Sequence, residues 1–564
     1  MPPLYTPPEF DNDGAAPEPE SLFSRIDRKV DCFIEQLVIN GSNIPFNTLK
    51  NVSMSLIDIF SEISRDNLPI EETLAQMKNS ISSQERYDGY IEQRLGGIYP
   101  EAVQIANTPH QFSFFPICKS LPRKLSRFDD ICEITKQQGD DEGPIKSFFN
   151  ADNCNLFNCI YINIFIDDFQ LANPLLSKKA CFNEMKAVYY RVVTRKSDNF
   201  SKRNSIQLLS LCKTSVFKSN PEIIMIYIAR DFNSFKDSGI NLIIGGINYH
   251  LNLEIGFFSL DSKEASYQIG LKQSFNHNYC CRTCLVPRSV FNTTFHQNDE
   301  ALRTPESYQI HLASGLIDPE SEECFGIQRQ SLLRHFDSLN VVFKSPPCIG
   351  HDFFEGVAPK ILNLIFRKLV DQRKITEYVF NQRVNDLNLT YKDKYSFPTI
   401  NFSAPNLRLT MNESFYLLRF LPFLLYESVN HESEESNFIL MLCEISRLIM
   451  RFQFTLDQIS YLDNLISDFL RKCAQIFPDC TLTIKFHHMT HYAGAIFKFG
   501  PLRLLSTINF ESHHSFLKTL MRPNRNWIRP SYSIAKAYAR FSSVDRITDS
   551  SVFKPEPFLC WTRK

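Results

Sequence analysis

The chain has 564 residues, more than one hydrophobic core normally organises, so two or three packed units are expected. Hydrophobic residues at 43% and charged residues at 22% exclude general disorder, and 61 Lys+Arg against 62 Asp+Glu exclude a polyelectrolyte that binds nucleic acid over its whole surface. The strongest apolar run, Phe415 to Tyr426, is broken by Arg419 and Pro422 and falls short of the ~20 residues that span a bilayer, so no membrane partner is expected.

Residues 1–21 are rich in proline and acids and read as a disordered leader, with no basic-then-apolar secretory pattern. Residues 22–139 are expected to form a helical N-terminal region: Val30, Phe33, Ile34 and Leu37 recur at helical spacing, and further helices are suggested over 52–63 and 70–81. The period then changes. Ile160, Ile162, Ile164 and Ile166 alternate with Tyr161, Asn163, Phe165 and Asp167, which predicts a buried strand with Asp167 at its end, pointing away from the isoleucines. Further strands are expected at Ala187–Val193, Ile223–Ile228, Ile240–Ile247 and Leu251–Leu260, the last followed by Asp261.

From 301 to 480 the pattern is helical again, with Val357, Ile361, Leu364, Ile365 and Leu369 forming one stripe. The segment from Lys485 to Arg540 carries nine Lys or Arg and a single acid, Glu511, within a final unit over 481–545; a tail fills 546–564.

The 16 cysteines lie scattered among apolar neighbours and read as reduced thiols. Cys281-Arg-Thr-Cys284 is a C-x2-C pair, and His487 and His491, four apart, share one face of a helix. Two thiolates and two imidazoles complete a tetrahedral structural Zn2+ site with no position left for substrate; Cys280 and His488 are the adjacent competitors. Two strand-end aspartates and a distant glutamate in a basic setting, Asp167, Asp261 and Glu511, match what two Mg2+ or Mn2+ ions require for phosphoryl transfer. Strand-end aspartates also cap turns, and Glu511 also suits pairing with a nearby base. No P-loop, dinucleotide-binding glycine pattern or Gly-x-Ser-x-Gly elbow is present.

The stretches IFIDDFQLANPLLSKK, LDSKEASYQIGLKQSFNHNYCCRTC, PPCIGHDFFEGV and KFHHMTHYAGAIFKFGPLRLLSTINFESHHSFLK, in that order, resemble eukaryotic DDE transposases of the CACTA (En/Spm) type and related transposon-derived proteins. The resemblance covers roughly residues 110 to 540. It implies an α/β fold: an RNase H-like mixed sheet, over 140–300 and 481–545, split by a large all-helical insertion over 301–480. It assigns the first catalytic aspartate to Asp167, with Asp168 as the alternative, the second to Asp261 and the final glutamate to Glu511, which follows Gly500-Pro501 and Phe510. Two departures stand out: Cys348-Ile-Gly-His351 where relatives often have Asp-x2-His, and Leu260-Asp261-Ser262 where they often have Gly-Asp-Asn.

On this reading the protein is a metal-dependent transposase that cleaves double-stranded DNA and transfers strands, with two catalytic Mg2+ or Mn2+ ions and one structural Zn2+. It would act in the nucleus as a homo-oligomer on DNA. Lys518, Arg522, Arg525, Arg529, Lys536 and Arg540 would hold phosphates, with Trp527 among them available for stacking. His351, Asp352 and Glu355 would support the site, although they equally suit a helix N-terminus. The rival expectations are a domesticated DNA-binding protein without cutting activity and a zinc-stabilised protein-interaction scaffold.

Overall fold

The structure, a computed structural model, describes residues 98–544 except 127, 142, 172–183, 197–204, 337–338, 388–396, 431 and 525–527, with scattered positions between 50 and 92. The leader, the tail and most of the helices expected before residue 97 lie outside the described residues. Two compact units are formed, one of Pro100–Met521 with Asn526–Ala535, the other of Met1–Tyr99, Arg522–Arg525 and Lys536–Lys564.

The larger unit is mixed α/β. Its strands, β1 (Glu101–Gln104), β2 (Gln111–Phe114), β3 (Cys159–Gln170), β4 (Glu184–Val192), β5 (Ile206–Lys213), β6 (Ile240–Ile244) and β7 (Ile247–Ser259), form one sheet in the order β1-β2-β5-β4-β3-β7-β6. β3, β4 and β5 are antiparallel neighbours, whereas β7 runs parallel to β3. The alternation in β3 decides its orientation: Ile160, Ile162, Ile164 and Ile166 enter one core with Val188, Tyr190 and Val192 of β4. Tyr161 and Phe165 face the other way, Tyr161 against Phe148 and Phe165 stacked on Phe510, ring centroids 4.8 Å apart. Asp167 falls on this second face, as the alternation predicts.

Three expectations are corrected. Ile223–Ile228 is not a strand but part of helix α1 (Pro221–Ser238). Its buried residues, Ile224, Met225, Ile228, Ala229 and Phe232, follow a helical period, while Ile223 and Ile226 are exposed. Pro221 starts the helix, and tertiary packing overrides the β-propensity of the isoleucines. Ile240–Ile247 is a hairpin, because Gly245 (φ +58) and Gly246 (φ +81) turn the chain between β6 and β7. The stretch 22–139, expected to be helical, contains β1 and β2; β2 extends the sheet alongside β5.

After β7, helix α2 (Ser262–Ile269) begins with Asp261 as its N-cap. Helices then dominate to residue 476: α3 (Ala358–Asp371), entered through a π-helical stretch at Gly350–Val357, then α4 (Met411–Leu424), α5 (Glu434–Ile449) and α6 (Leu456–Ile476). Thr410 with Glu413, and Thr455 with Gln458, form capping boxes that start α4 and α6, each satisfying two otherwise orphaned N–H groups. Their apolar faces share one core with α7 (Ile484–Met489) and α8 (Tyr492–Phe499). Gly500 and Pro501 turn the chain toward α9 (Ile508–Asn524), which carries Glu511. Among the described residues no helix is long and apolar enough to cross a membrane.

Gly500 has φ +89, and a Cβ there would meet the Ser147 carbonyl carbon at 2.8 Å and its oxygen at 2.9 Å. Gly500→Ala is therefore expected to cost about 1–3 kcal/mol, checked by equilibrium chemical denaturation.

Candidate metal centres

Cys281 and Cys284 lie beyond α2, His487 in α7 and His491 just before α8, and all four are buried. Their donor atoms lie within 4.8 Å of one another. Cys281 Sγ is 3.5 Å from His491 Nε2, Cys284 Sγ is 3.1 Å from His487 Nε2, and the two Nε2 atoms are 3.3 Å apart. A tetrahedral ion with bonds of ~2.3 Å to sulfur and ~2.0 Å to nitrogen requires separations of ~3.5 Å and ~3.3 Å. This is a cluster able to hold a metal ion such as zinc. Gln297 Oε1 lies 2.8 Å from His491 Nδ1, orienting that ring, and Phe291 stacks on His487 with centroids 4.2 Å apart. Burial pushes the Cys281 thiol up, but its hydrogen bond with Cys284 and the nearby imidazoles hold it well below its usual value.

The competitors fall outside this group. Cys280 is buried and its thiol is pushed up to about 12 by that burial. His488 Nδ1 lies 3.1 Å from Asp352 Oδ1, which also accepts a hydrogen bond from Ser262 Oγ at 3.1 Å. Asp352, fully buried, therefore packs beside the start of α2; it is His351 that sits with Glu511.

The acids singled out in the sequence lie beyond the paired ends of β3 and β7 and on α9. Asp167 is pushed up to about 8 by burial and then by the charges of Asp261 and Glu511, so acids from three remote stretches share one electrostatic environment. Among the described residues, the Cys/His donors alone gather into a group able to hold a metal ion. Asp168, the alternative to Asp167, is on the opposite side of β3, 3.2 Å from Lys186 Nζ. Asp261 Oδ1 accepts the Glu264 N–H at 2.5 Å, so the turn-capping role anticipated for a strand-end aspartate is present as well.

Around Glu511, Thr507 Oγ1 donates to Oε1 at 2.6 Å and His351 Nε2 stands 3.5 Å away. Burial lowers His351, but Cys348, 3.4 Å from its Nδ1, together with Glu511 and Asp261 outweighs that and raises it to about 10. Glu355 instead accepts the Met411 N–H at the start of α4. His514, one helical turn beyond Glu511, stacks on Phe169 at 4.7 Å with Nδ1 3.9 Å from Asp167 Oδ2; burial lowers its pKa to about 3, leaving a neutral ring. The sequence reading missed Thr507, His514, Gln297 and Lys186. Helical spacing from Glu511 gave a usable signal for Thr507 and His514, but nothing marked the other two.

Of the basic residues, Lys518 is half-buried and Arg529 exposed. In the smaller unit, Lys536 Nζ and Arg540 Nε hold Asp88 at 2.8 and 2.7 Å, so both are engaged in an ion-pair network rather than presented freely. Arg525, Trp527 and the side chain of Arg522 lie outside the described residues. In comparisons with known proteins, no family model and no curated sequence matches the chain.

Two outcomes are expected. Elemental analysis should find about one zinc per chain, lost from Cys281→Ala and His487→Ala with a lowered Tm, but retained in His488→Ala. Because Asp167 is raised from 3.8 to about 8, its contribution to folding is fully present below about pH 4 and disappears as pH rises through about 8. In chelator, Tm should fall across that window; Mn2+ should reverse the fall, and Asp167→Asn should flatten it.

Proposed function

We propose that the protein is a nuclear DNA transposase-like enzyme that cleaves and joins phosphodiesters, with Asp167, Asp261 and Glu511 holding two Mg2+ or Mn2+ ions. The observation that carries this reading is the influence of Asp261, at the start of α2, and Glu511, on α9, on the buried carboxyl of Asp167 at the end of β3. A carboxyl raised by burial and by two neighbouring acids is held against repulsion, which a bound cation would relieve. Their hard oxygen donors suit these ions.

The sheet supports the same reading. Three antiparallel strands, β3, β4 and β5, with β7 parallel beside β3, fit an RNase H-like core, and the helices over 301–480 fit an insertion between its halves. The Cys281, Cys284, His487 and His491 cluster would hold structural Zn2+ where that insertion returns to the core.

When bound, the catalytic ions supply charge neutralisation at the scissile phosphate and activation of water. The chain's own side chains orient the carboxylates: Thr507 fixes one oxygen of Glu511, and neutral His514 with Phe169 forms an apolar wall beside Asp167. Double-stranded DNA, bound by a homo-oligomer, would meet Lys518 and Arg529.

One observation favours a second reading, a DNA-binding descendant without cutting activity: the His351 ring stands 3.5 Å from Glu511, where it can supply the positive charge itself. Supercoiled DNA with Mn2+ separates the two. The enzyme reading expects nicking that falls at least ~100-fold in Asp167→Ala and Glu511→Ala; salt-sensitive binding without nicking in the wild type would support the second reading, and no DNA binding would defeat both.

A further inference from the structure

The two aspartates assigned to the catalytic ions are built alike. Asp167 Oδ1 accepts the backbone N–H of Asp168 at 2.7 Å, and Asp261 Oδ1 accepts that of Glu264 at 2.5 Å. In each case the residue that donates its N–H also directs its side chain at one ammonium, Lys186 Nζ, 3.2 Å from Asp168 Oδ1 and 2.7 Å from Glu264 Oε2. Lys186 stands opposite Asp168 in the β3–β4 ladder and is only 2% exposed. Thr214 Oγ1 also donates to Asp168 Oδ1 at 2.8 Å, and Gln268 Nε2 donates to Glu264 Oε1 at 2.7 Å.

We infer that Lys186 is a positioning residue, a single buried tether that fixes Asp167 and Asp261 relative to each other across the sheet by holding Asp168 and Glu264. This rests on the metal-dependent reading above. The physical case is the geometry. The β3–β7 ladder ends at Phe165 and Ser259, two residues short of each aspartate, so beyond it the spacing of the two aspartates depends on how the end of β3 is joined to the first turn of α2. An ammonium shared by one carboxylate on each element joins them directly. A buried ion triad is costly to desolvate and is replaceable by neutral groups without loss of the fold, so stability alone is a poor reason for its presence. Partners that orient metal ligands typically alter metal affinity 10–100-fold when removed.

The test uses Mn2+ alone, with free ion counted by electron paramagnetic resonance on the full-length, zinc-loaded chain. Lys186→Met by itself leaves the buried Glu264 and the half-buried Asp168 without their cation and is unsuitable. The informative variants are the neutral replacement Lys186→Met/Asp168→Asn/Glu264→Gln and the single Glu264→Gln, which keeps the Lys186–Asp168 pair. With circular dichroism and zinc content unchanged, the triple variant should bind Mn2+ ~10–100-fold more weakly and Glu264→Gln should fall between it and the wild type. Unchanged Mn2+ affinity in a folded triple variant, or in Glu264→Gln if the triple does not fold, overturns the tether and leaves the metal site standing. A wild-type chain with no Mn2+ binding sensitive to Asp167→Asn overturns the metal site and the tether with it.

Discussion

Everything at the candidate centre depends on closing the chain across the helices between residues 301 and 480. Cys284 and His487 are 203 positions apart and Cys281 and His491 are 210, yet their donor atoms lie at 3.1 and 3.5 Å. No local propensity produces such an approach. Bringing segments this distant together carries a loop-closure entropy, which an ion held by the four donors would offset through ligand bonds that exist only in the folded chain. The same closure returns the chain to the sheet through α8 and the Gly500 turn, so that α9 lies against Phe165 and Glu511 faces the end of β3.

The two centres are also joined through side chains. Arg282, between the two cysteines, reaches Ser262 Oγ at 3.3 Å, and Ser262 in turn donates to Asp352, the partner of His488. Ser262 is the residue next to Asp261. The Cys/His cluster therefore braces the start of α2 from one side while Lys186 holds Glu264 from another. Asp261, between these two braces, is thus held in place by polar contacts that lie outside its own carboxylate.

The sequence made some of this legible and hid the rest for identifiable reasons. Period-two alternation of isoleucine with other side chains exposed β3 and the facing of Asp167, because the two buried faces of the strand pack against different partners. The C-x2-C and H-x3-H spacings exposed the Cys/His donors, although only geometry separated His487 from His488. The helix at Pro221–Ser238 was misread because its isoleucines carry β-propensity while its burial period is helical. β1, β2 and β5 were missed: the first two are four residues each, too short to set a period, and β5 places apolar residues on both faces. Lys186 was unreadable, since a lysine in a strand announces solvent until its two carboxylate partners, 18 and 78 positions away, are known to meet it.

The most direct measurement is anomalous X-ray diffraction from crystals of the zinc-loaded protein soaked in Mn2+, recorded at both absorption edges. The account predicts one zinc peak enclosed by Cys281, Cys284, His487 and His491, and manganese density bridging oxygens of Asp167, Asp261 and Glu511. A zinc peak in place with no manganese among those carboxylates, at a concentration that saturates other carboxylate sites, would contradict it.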